Sequence, residues 1–165
     1  MKSNQPPSPW VIQSATLADV NDLVALEERC FDYSRMGRRS FQRLIRGSSG
    51  HFTVARLTTT QALVGYTLLL TRRNSAIWRL YSIATAPEAR GTGLGRALLE
   101  SAIAMAQAHG ARALSLEVKV DNKGAIALYE KLDFAVTDLL PGYYDDGTDG
   151  YRMRLTWSDA DQENH

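Results

Sequence analysis

The sequence predicts a mixed α/β (α+β) fold, one domain in which a sheet is covered by helices. Three observations lead there. Apolar runs with strand character outnumber the helical patterns. Two of the helical patterns stand between strand runs as crossovers, the arrangement that lays helices on a sheet. The chain has 165 residues, 44% of them apolar and 22% charged. That is the size and balance of one globular domain, able to bury roughly 70% of its unfolded surface without a disulfide or metal staple.

The elements follow in order. Residues 1–9 are rich in Pro, Ser and Asn and read as a flexible tail, and the domain is expected from Trp10 to Trp157. Trp10–Gln13 is short and β-prone. Thr16 is placed to cap a helical pattern with Leu17, Val20, Leu23, Val24 and Leu26 on its inner face. Residues 38–46 form a short basic helix. His51–Leu57 and Gln61–Thr71 are two strands joined by a turn near Thr58–Thr60, and Ile77–Thr85 is a third, stopped by Pro87. A glycine-rich loop, Arg90–Arg96, leads into a helix over Leu94–His109, with Gly110 as its C-cap and His109 where a cation suits the helix dipole. Ala113–Val120 alternates Leu114, Leu116 and Val118 against Ser115, Glu117 and Lys119. Asn122 opens a short helix with Ala125, Ile126, Leu128, Tyr129 and Leu132 on its inner side. Phe134–Leu139 and Tyr151–Trp157 are the last strands, separated by the acidic, aromatic turn PGYYDDGTDG. Residues 158–165 are a flexible acidic tail.

Composition removes several function classes. Nineteen Lys and Arg against eighteen Asp and Glu give a net charge of +1, which argues against a dedicated nucleic-acid binder. A single cysteine, Cys30, removes a disulfide framework and any multi-cysteine metal site, and is expected as a small apolar core residue. His51, His109 and His165 have neither metal-ligand spacing nor a nucleophile-and-base arrangement, so no metal is expected. The longest nearly apolar run, Ala62–Leu70, falls far short of the ~20 residues a bilayer requires. The N-terminus MKSNQPPSPW lacks the apolar stretch of a secretory signal. The expected location is the cytoplasm.

Arg90-Gly91-Thr92-Gly93-Leu94-Gly95-Arg96 lies between a strand and a helix. Amides at a helix N-terminus have no partner within the helix, and glycines let an anion approach them closely. The loop therefore suits a phosphate or pyrophosphate, or else it is a tight turn with solvated arginines. It is not a P-loop, because Gly-x4-Gly-Lys-Ser/Thr is missing. It is a poor dinucleotide fingerprint, because the sixth position from Gly91 is Arg96 and from Gly93 is Leu98.

Arg90, Gly93 and Gly95 do satisfy Arg/Gln-x-x-Gly-x-Gly/Ala, which resembles the acetyl-CoA loop of the GNAT N-acetyltransferases. LYSIATAPEARGTGLGRALLE is similar to that family's strand–loop–helix. LEVKVDNKGAIALYEKLDF is similar to its next strand and helix. The two blocks cover about residues 76–134. Within the family, the ending YYDDGTDGYRM resembles that of the ribosomal-protein alanine N-acetyltransferases. The resemblance implies a mostly antiparallel mixed sheet and acetyl-CoA as co-substrate. It implies that the backbone of Ile83, Ala84 and Thr85 binds the pantetheine arm like an added strand, where a bulge parts the strands. The loop Arg90, Gly91, Thr92, Gly93, Leu94, Gly95 and Arg96 would take the pyrophosphate, and Asn122 would contact the thiol end as well as capping its helix. Glu117 is implied as general base and Tyr129 as general acid. One departure is Asp133, which stands where the family usually has Gly; if that position needs positive φ, Asp tolerates it at modest cost.

The chemistry is consistent with an α-amine. At pH 7 a lysine amine costs about 4.6 kcal/mol to deprotonate and an α-amine about 1 kcal/mol, which one general base manages more comfortably. Glu117 is either that base or a carboxylate paired with Lys119. Tyr129 is either the acid or a core tyrosine. A phenol giving its proton to a thiolate is uphill by about 2 kcal/mol at ordinary pKa values, so hydrogen bonding to the sulfur is as reasonable as full transfer. Tyr143 and Tyr144 are the expected acceptor-binding residues. With Asp145, Asp146 and Asp149 they form a wall for an amine, which Glu27 and Glu28 could join, or else a solvated turn. Arg35, Arg38, Arg39, Arg43 and Arg46 form a basic run that is either a steering patch or a solvated face. The expected acceptor is a protein or peptide N-terminus, a ribosomal protein among the candidates. A small-molecule amine, a lysine side chain, and a non-catalytic acyl-CoA-binding domain are the rival readings. No membrane or direct nucleic-acid partner is expected, and monomer and homodimer both stay open.

Overall fold

In the computed structural model, which describes residues 8–31 and 36–157, seven strands order as β1-β2-β3-β4-β5-β7-β6. They are β1 (Trp10–Ser14), β2 (Gly50–Leu57), β3 (Leu63–Leu70), β4 (Ile77–Thr85), β5 (Ala113–Lys119), β6 (Ala135–Leu140) and β7 (Gly150–Thr156). The helices are α1 (Val20–Cys30), α2 (Arg38–Arg46), α3 (Leu94–Ala108) and α4 (Lys123–Lys131). Strands β1 and β2, β5 and β7, and β6 and β7 pair antiparallel, while β4 and β5 run parallel. This is the mixed, mostly antiparallel sheet with helices that the sequence predicts. Residues 1–7 of the expected tail over 1–9, the whole expected tail over 158–165 and Arg35 of the basic run lie outside the described residues. No described helix is long and apolar enough to cross a membrane.

The chain divides into two units, residues 1–67 with 83–98, and 68–82 with 99–165. In the first, Phe41, Phe52 and Tyr66 meet at ring separations of 5.5, 5.9 and 6.0 Å. All three rings are nearly or fully buried, with Leu23, Leu26 and Val54. Glu27 is buried as well: it accepts from the Tyr66 hydroxyl and from the Met36 amide at 3.0 Å. Its expected role in an acceptor wall is therefore corrected, since both carboxylate oxygens are spent inside this core.

The chain enters α1 through a 3-10 turn, Leu17–Asp19, rather than directly. Asp19 accepts from the Thr16 amide at 2.8 Å and pairs with Arg56 at 2.7 Å. The tighter turn puts Leu17 out of phase with the buried face, and Leu17 is 44% exposed, where the sequence pattern placed it inside. Gly65 on β3 is demanded by close approach. A Cβ there would stand 2.8 Å from Leu98 Cδ1 and 3.1 Å from the Ala84 carbonyl oxygen.

In the second unit β5 supplies three core residues, Leu114, Leu116 and Val118, on the face that the alternation predicts. Helix α3 ends as expected at Gly110, whose φ is +85°; the Ala111 amide reaches back to the Ala106 carbonyl at 3.0 Å. His109 stacks against Trp78, with rings 5.4 Å apart, and Trp157 donates to the Ala111 carbonyl at 2.7 Å.

Candidate active site

The glycine loop lies in the first unit. β4 ends at Thr85, Pro87–Ala89 makes one 3-10 turn, and α3 begins at Leu94. Gly91 and Gly93 have φ of +77° and +92°, which side chains rarely adopt, and a Cβ at either would meet nothing within 4 Å. The glycines are thus required by backbone conformation, and the space over them is open to a ligand. Thr92 pins the loop by donating to the Ala89 carbonyl, and Arg90 Nε donates to the Thr85 carbonyl at 3.3 Å. Gly93 accepts the amide of Ala97 at 3.0 Å, and the first-turn amides of α3, from Leu94 through Gly95, fall where a helix has no internal acceptors. Arg90 and Arg96 are exposed. An open, conformationally required glycine turn at the N-terminus of a 15-residue helix fits a pyrophosphate.

Upstream of the loop, Ala84 is buried and Ile83 and Thr85 are half-buried. The Thr85 carbonyl also takes the Cys30 thiol at 3.5 Å. Cys30 is half-buried, not the enclosed core residue expected, because it sits at the last position of α1, and burial pushes its thiol up.

Glu117, Asn122, Tyr129, Tyr143 and Tyr144 belong to the second unit. The parallel register of β4 and β5 covers only Ile77–Arg79 against Ala113–Ser115, and beyond it Leu80–Ser82 and Leu116–Val118 part company. Glu117 stands just past the last parallel pair. Its side chain is 8% exposed and pairs with Arg79 through Oε1, and the Tyr143 hydroxyl donates to the same oxygen at 3.3 Å. Oε2 accepts nothing among the described residues. Pairing with Lys119 is thereby corrected: Lys119 reaches Asp146 at 2.9 Å and lies over the Tyr144 ring at 5.4 Å. The reason is strand pleat and turn geometry. β5 lies beside the Arg79 end of β4, while the turn before β7 brings Asp146 to Lys119.

Asn122 caps α4, its side-chain oxygen accepting from the Ala125 amide at 3.2 Å. Tyr129 is the one residue of α4 that is buried, at 7% exposure, and its hydroxyl makes no hydrogen bond among the described residues. Burial pushes this phenol up to about 12. Asp133 follows with φ +72°, the left-handed conformation anticipated for it. The amides of Asp133 and Phe134 return to the carbonyls of Glu130 and Tyr129, both at 3.0 Å, closing a Schellman motif. That turn carries the Phe134 ring to 5.9 Å from the Tyr129 ring.

The acidic turn is largely self-occupied. Asp146 pairs with Lys119 and accepts from the Thr148 amide, contacts that hold its carboxyl well below the usual range, and Asp149 accepts from Gly142 at 2.8 Å. Tyr143 is 44% exposed and packs edge-on to Tyr144 at 5.0 Å. Of the basic run, Arg38, Arg39, Arg43 and Arg46 are exposed on α2, with Arg38 bonded to Asn21. Arg79 and Gly65 carry no motif in the sequence; what points to them is the parallel register for the first and β3 packing on α3 for the second. Among the described residues, no three His, Cys, Asp or Glu side chains cluster as a metal ion would require.

The acetyltransferase (GNAT) family model matches residues 18–134, and the chain belongs to that family. Over 146 residues it is 29% identical to a putative [ribosomal protein bS18]-alanine N-acetyltransferase of Bacillus subtilis, covering 88% of this chain and 94% of the relative. Over 73 residues it is 47% identical to an N-alpha-acetyltransferase of Saccharolobus solfataricus, 44% of each. The chain spans less than half the length of several curated relatives it matches, that enzyme among them. The crystal structure of the ribosomal-protein-S18-alanine N-acetyltransferase from Escherichia coli superposes with a TM-score of 0.80 at 28% identity, covering 90% of this chain and 94% of that one. The family transfers acetyl groups from acetyl-CoA.

Proposed function

We propose that the chain is an acetyl-CoA-dependent N-acetyltransferase whose acceptor is the N-terminal α-amine of a protein or peptide. The observation that carries the reading is the state of Glu117. Its Oε1 is fixed by Arg79 and Tyr143, so Oε2 is oriented and still able to accept a proton. The names of the Bacillus subtilis and Saccharolobus solfataricus relatives support a protein N-terminus as acceptor, with a ribosomal protein as one candidate.

In this mechanism acetyl-CoA supplies the acetyl group and a thiol leaving group. The loop from Arg90 to Arg96 would hold the pyrophosphate and the backbone of Ile83, Ala84 and Thr85 the pantetheine arm, and Asn122 would be a contact for the thiol end. Glu117 takes the ammonium proton at Oε2, directly or through a water, at a cost of about 1 kcal/mol for an α-amine at pH 7. The amine nitrogen then forms a bond to the acetyl carbon as the carbon–sulfur bond breaks, and its surplus proton passes to the departing sulfur, directly or through a water, giving the amide and the free thiol. Tyr129 donates a hydrogen bond toward the departing sulfur. With its pKa near 12, full transfer to a thiol near 8.5 is uphill by about 5 kcal/mol, so Tyr129 stabilises developing charge more than it delivers a free proton. Tyr143 and Tyr144 line the acceptor side.

CoA release across Ala- and Ser-initiated peptides, N-terminally blocked lysine peptides and small amines tests the reading. Turnover on free N-termini supports it. Turnover on small amines or lysine side chains alone refutes the acceptor, and cofactor binding without turnover anywhere refutes the enzyme.

A further inference from the structure

We propose that an arginine-walled cavity beside Glu117 binds a carboxylate carried by the acceptor, so that the enzyme favours amines with an acidic side chain one or two residues from the reacting nitrogen. This rests on the peptide acceptor proposed above.

The cavity holds about 440 Å³, and its lining includes Arg72, Arg79, Arg152 and Arg154 together with Ser115 and Glu117. Four arginines and one carboxylate therefore line it. Arg79 is paired with Glu117. Among the described residues Arg152 has only Asp138 as an acidic partner, at 3.6 Å and half exposed. Arg72 and Arg154 meet no acidic partner among the described residues. Among the described residues the Nε of Arg79 and the Nε of Arg154 are both buried without an acceptor. A guanidinium N–H removed from water and left unpaired opposes folding, and a bound carboxylate supplies the missing acceptor in the geometry that an arginine fork prefers.

The spacing ties this anion to the reacting amine. In the β5–β7 ladder Glu117 is opposite Arg152 and Ser115 is opposite Arg154. One two-residue step along a strand is roughly 7 Å. An extended peptide advances roughly 3.5 Å per residue, so a second- or third-position Asp or Glu reaches Arg154 while the α-amine is at Glu117. The same cavity disfavours an acceptor with basic residues at those positions.

Steady-state kinetics of the full chain on Ala-Asp and Ala-Glu peptides, each against its Asn or Gln counterpart, tests the inference. The expected preference in kcat/KM for the acidic member is about tenfold or more, the scale of one charge-assisted contact. In Arg154→Gln, and separately in Arg72→Gln on an exposed turn, that ratio falls toward one. Calorimetry with the N-acetylated Asp peptide, which offers no α-amine, gives a second readout: binding to wild type that weakens in Arg154→Gln. Active enzyme with no acidic preference overturns the cavity's role and leaves the N-terminal acceptor standing. If no peptide turns over but the blocked acidic peptide binds through Arg154, the cavity stands and the N-terminal reading falls. Neither preference nor binding overturns the inference.

Discussion

Tyr129 is where burial has its most measurable chemical consequence. The residue is 7% exposed and no charged partner offsets that burial, so the phenol is pushed up to about 12 from an ordinary 10. The shift is about two units, or ~2.7 kcal/mol between protonation states. The sign follows from the neutral form being the one favoured in the fold. This contribution to stability is complete below pH 10 and is lost as pH rises through about 12. The perturbation is an alkaline titration of wild type and Tyr129→Phe, followed by tyrosinate absorbance. At pH 11 a phenol of pKa 10 is about 90% ionised and one of pKa 12 about 10%. The chain has seven tyrosines, so a normal Tyr129 would account for a visible share of the signal. The two proteins are predicted to titrate almost identically up to pH 11. Removing the donor should lower kcat by roughly 10² with no new alkaline limb below that pH. A deficit of one tyrosinate in the variant near pH 10, or unchanged kcat, refutes the reasoning.

Further outcomes follow from the same geometry. Asp133→Gly relieves a left-handed non-glycine residue and should stabilise the fold by about 0.5–1 kcal/mol, raising Tm by about 2 °C; thermal unfolding that shows a loss would contradict the Schellman assignment. Gly65→Ala drives a methyl toward Leu98 and the Ala84 carbonyl and should cost about 1–3 kcal/mol in urea unfolding, with weaker acetyl-CoA binding because Ala84 must shift. Gly91→Ala and Gly93→Ala meet open space but an unfavourable φ, costing about 1 kcal/mol each and weakening acetyl-CoA binding more than the fold.

Local chemistry made much of this legible in the sequence. Pro87 ended β4 and Gly110 ended α3 because each residue acts through its own backbone. Asp133 could be read the same way. The Arg90–Arg96 turn announced itself because its glycines answer to φ rather than to neighbours. What escaped depends on strand order. β7 lies between β5 and β6, which puts Arg152 and Arg154 beside Glu117 and Ser115 and leaves β6 at the edge. That is why Val136 and Leu139 are 49% and 55% exposed despite their apolar character. The Arg79–Glu117 pair likewise exists only because the parallel register of β4 and β5 stops where it does. Asp146 and Asp149 looked available in the sequence, but the turn consumes them.

The most direct test of the central claim is Glu117→Gln, read as turnover and acetyl-CoA affinity side by side. The isosteric amide keeps the contact with Tyr143 but cannot take a proton from the amine. Turnover on an Ala-initiated peptide is predicted to fall by roughly 10² or more while the acetyl-CoA dissociation constant holds within about twofold. Wild-type turnover in that variant would contradict Glu117 as the base, and with it the mechanism proposed for this site.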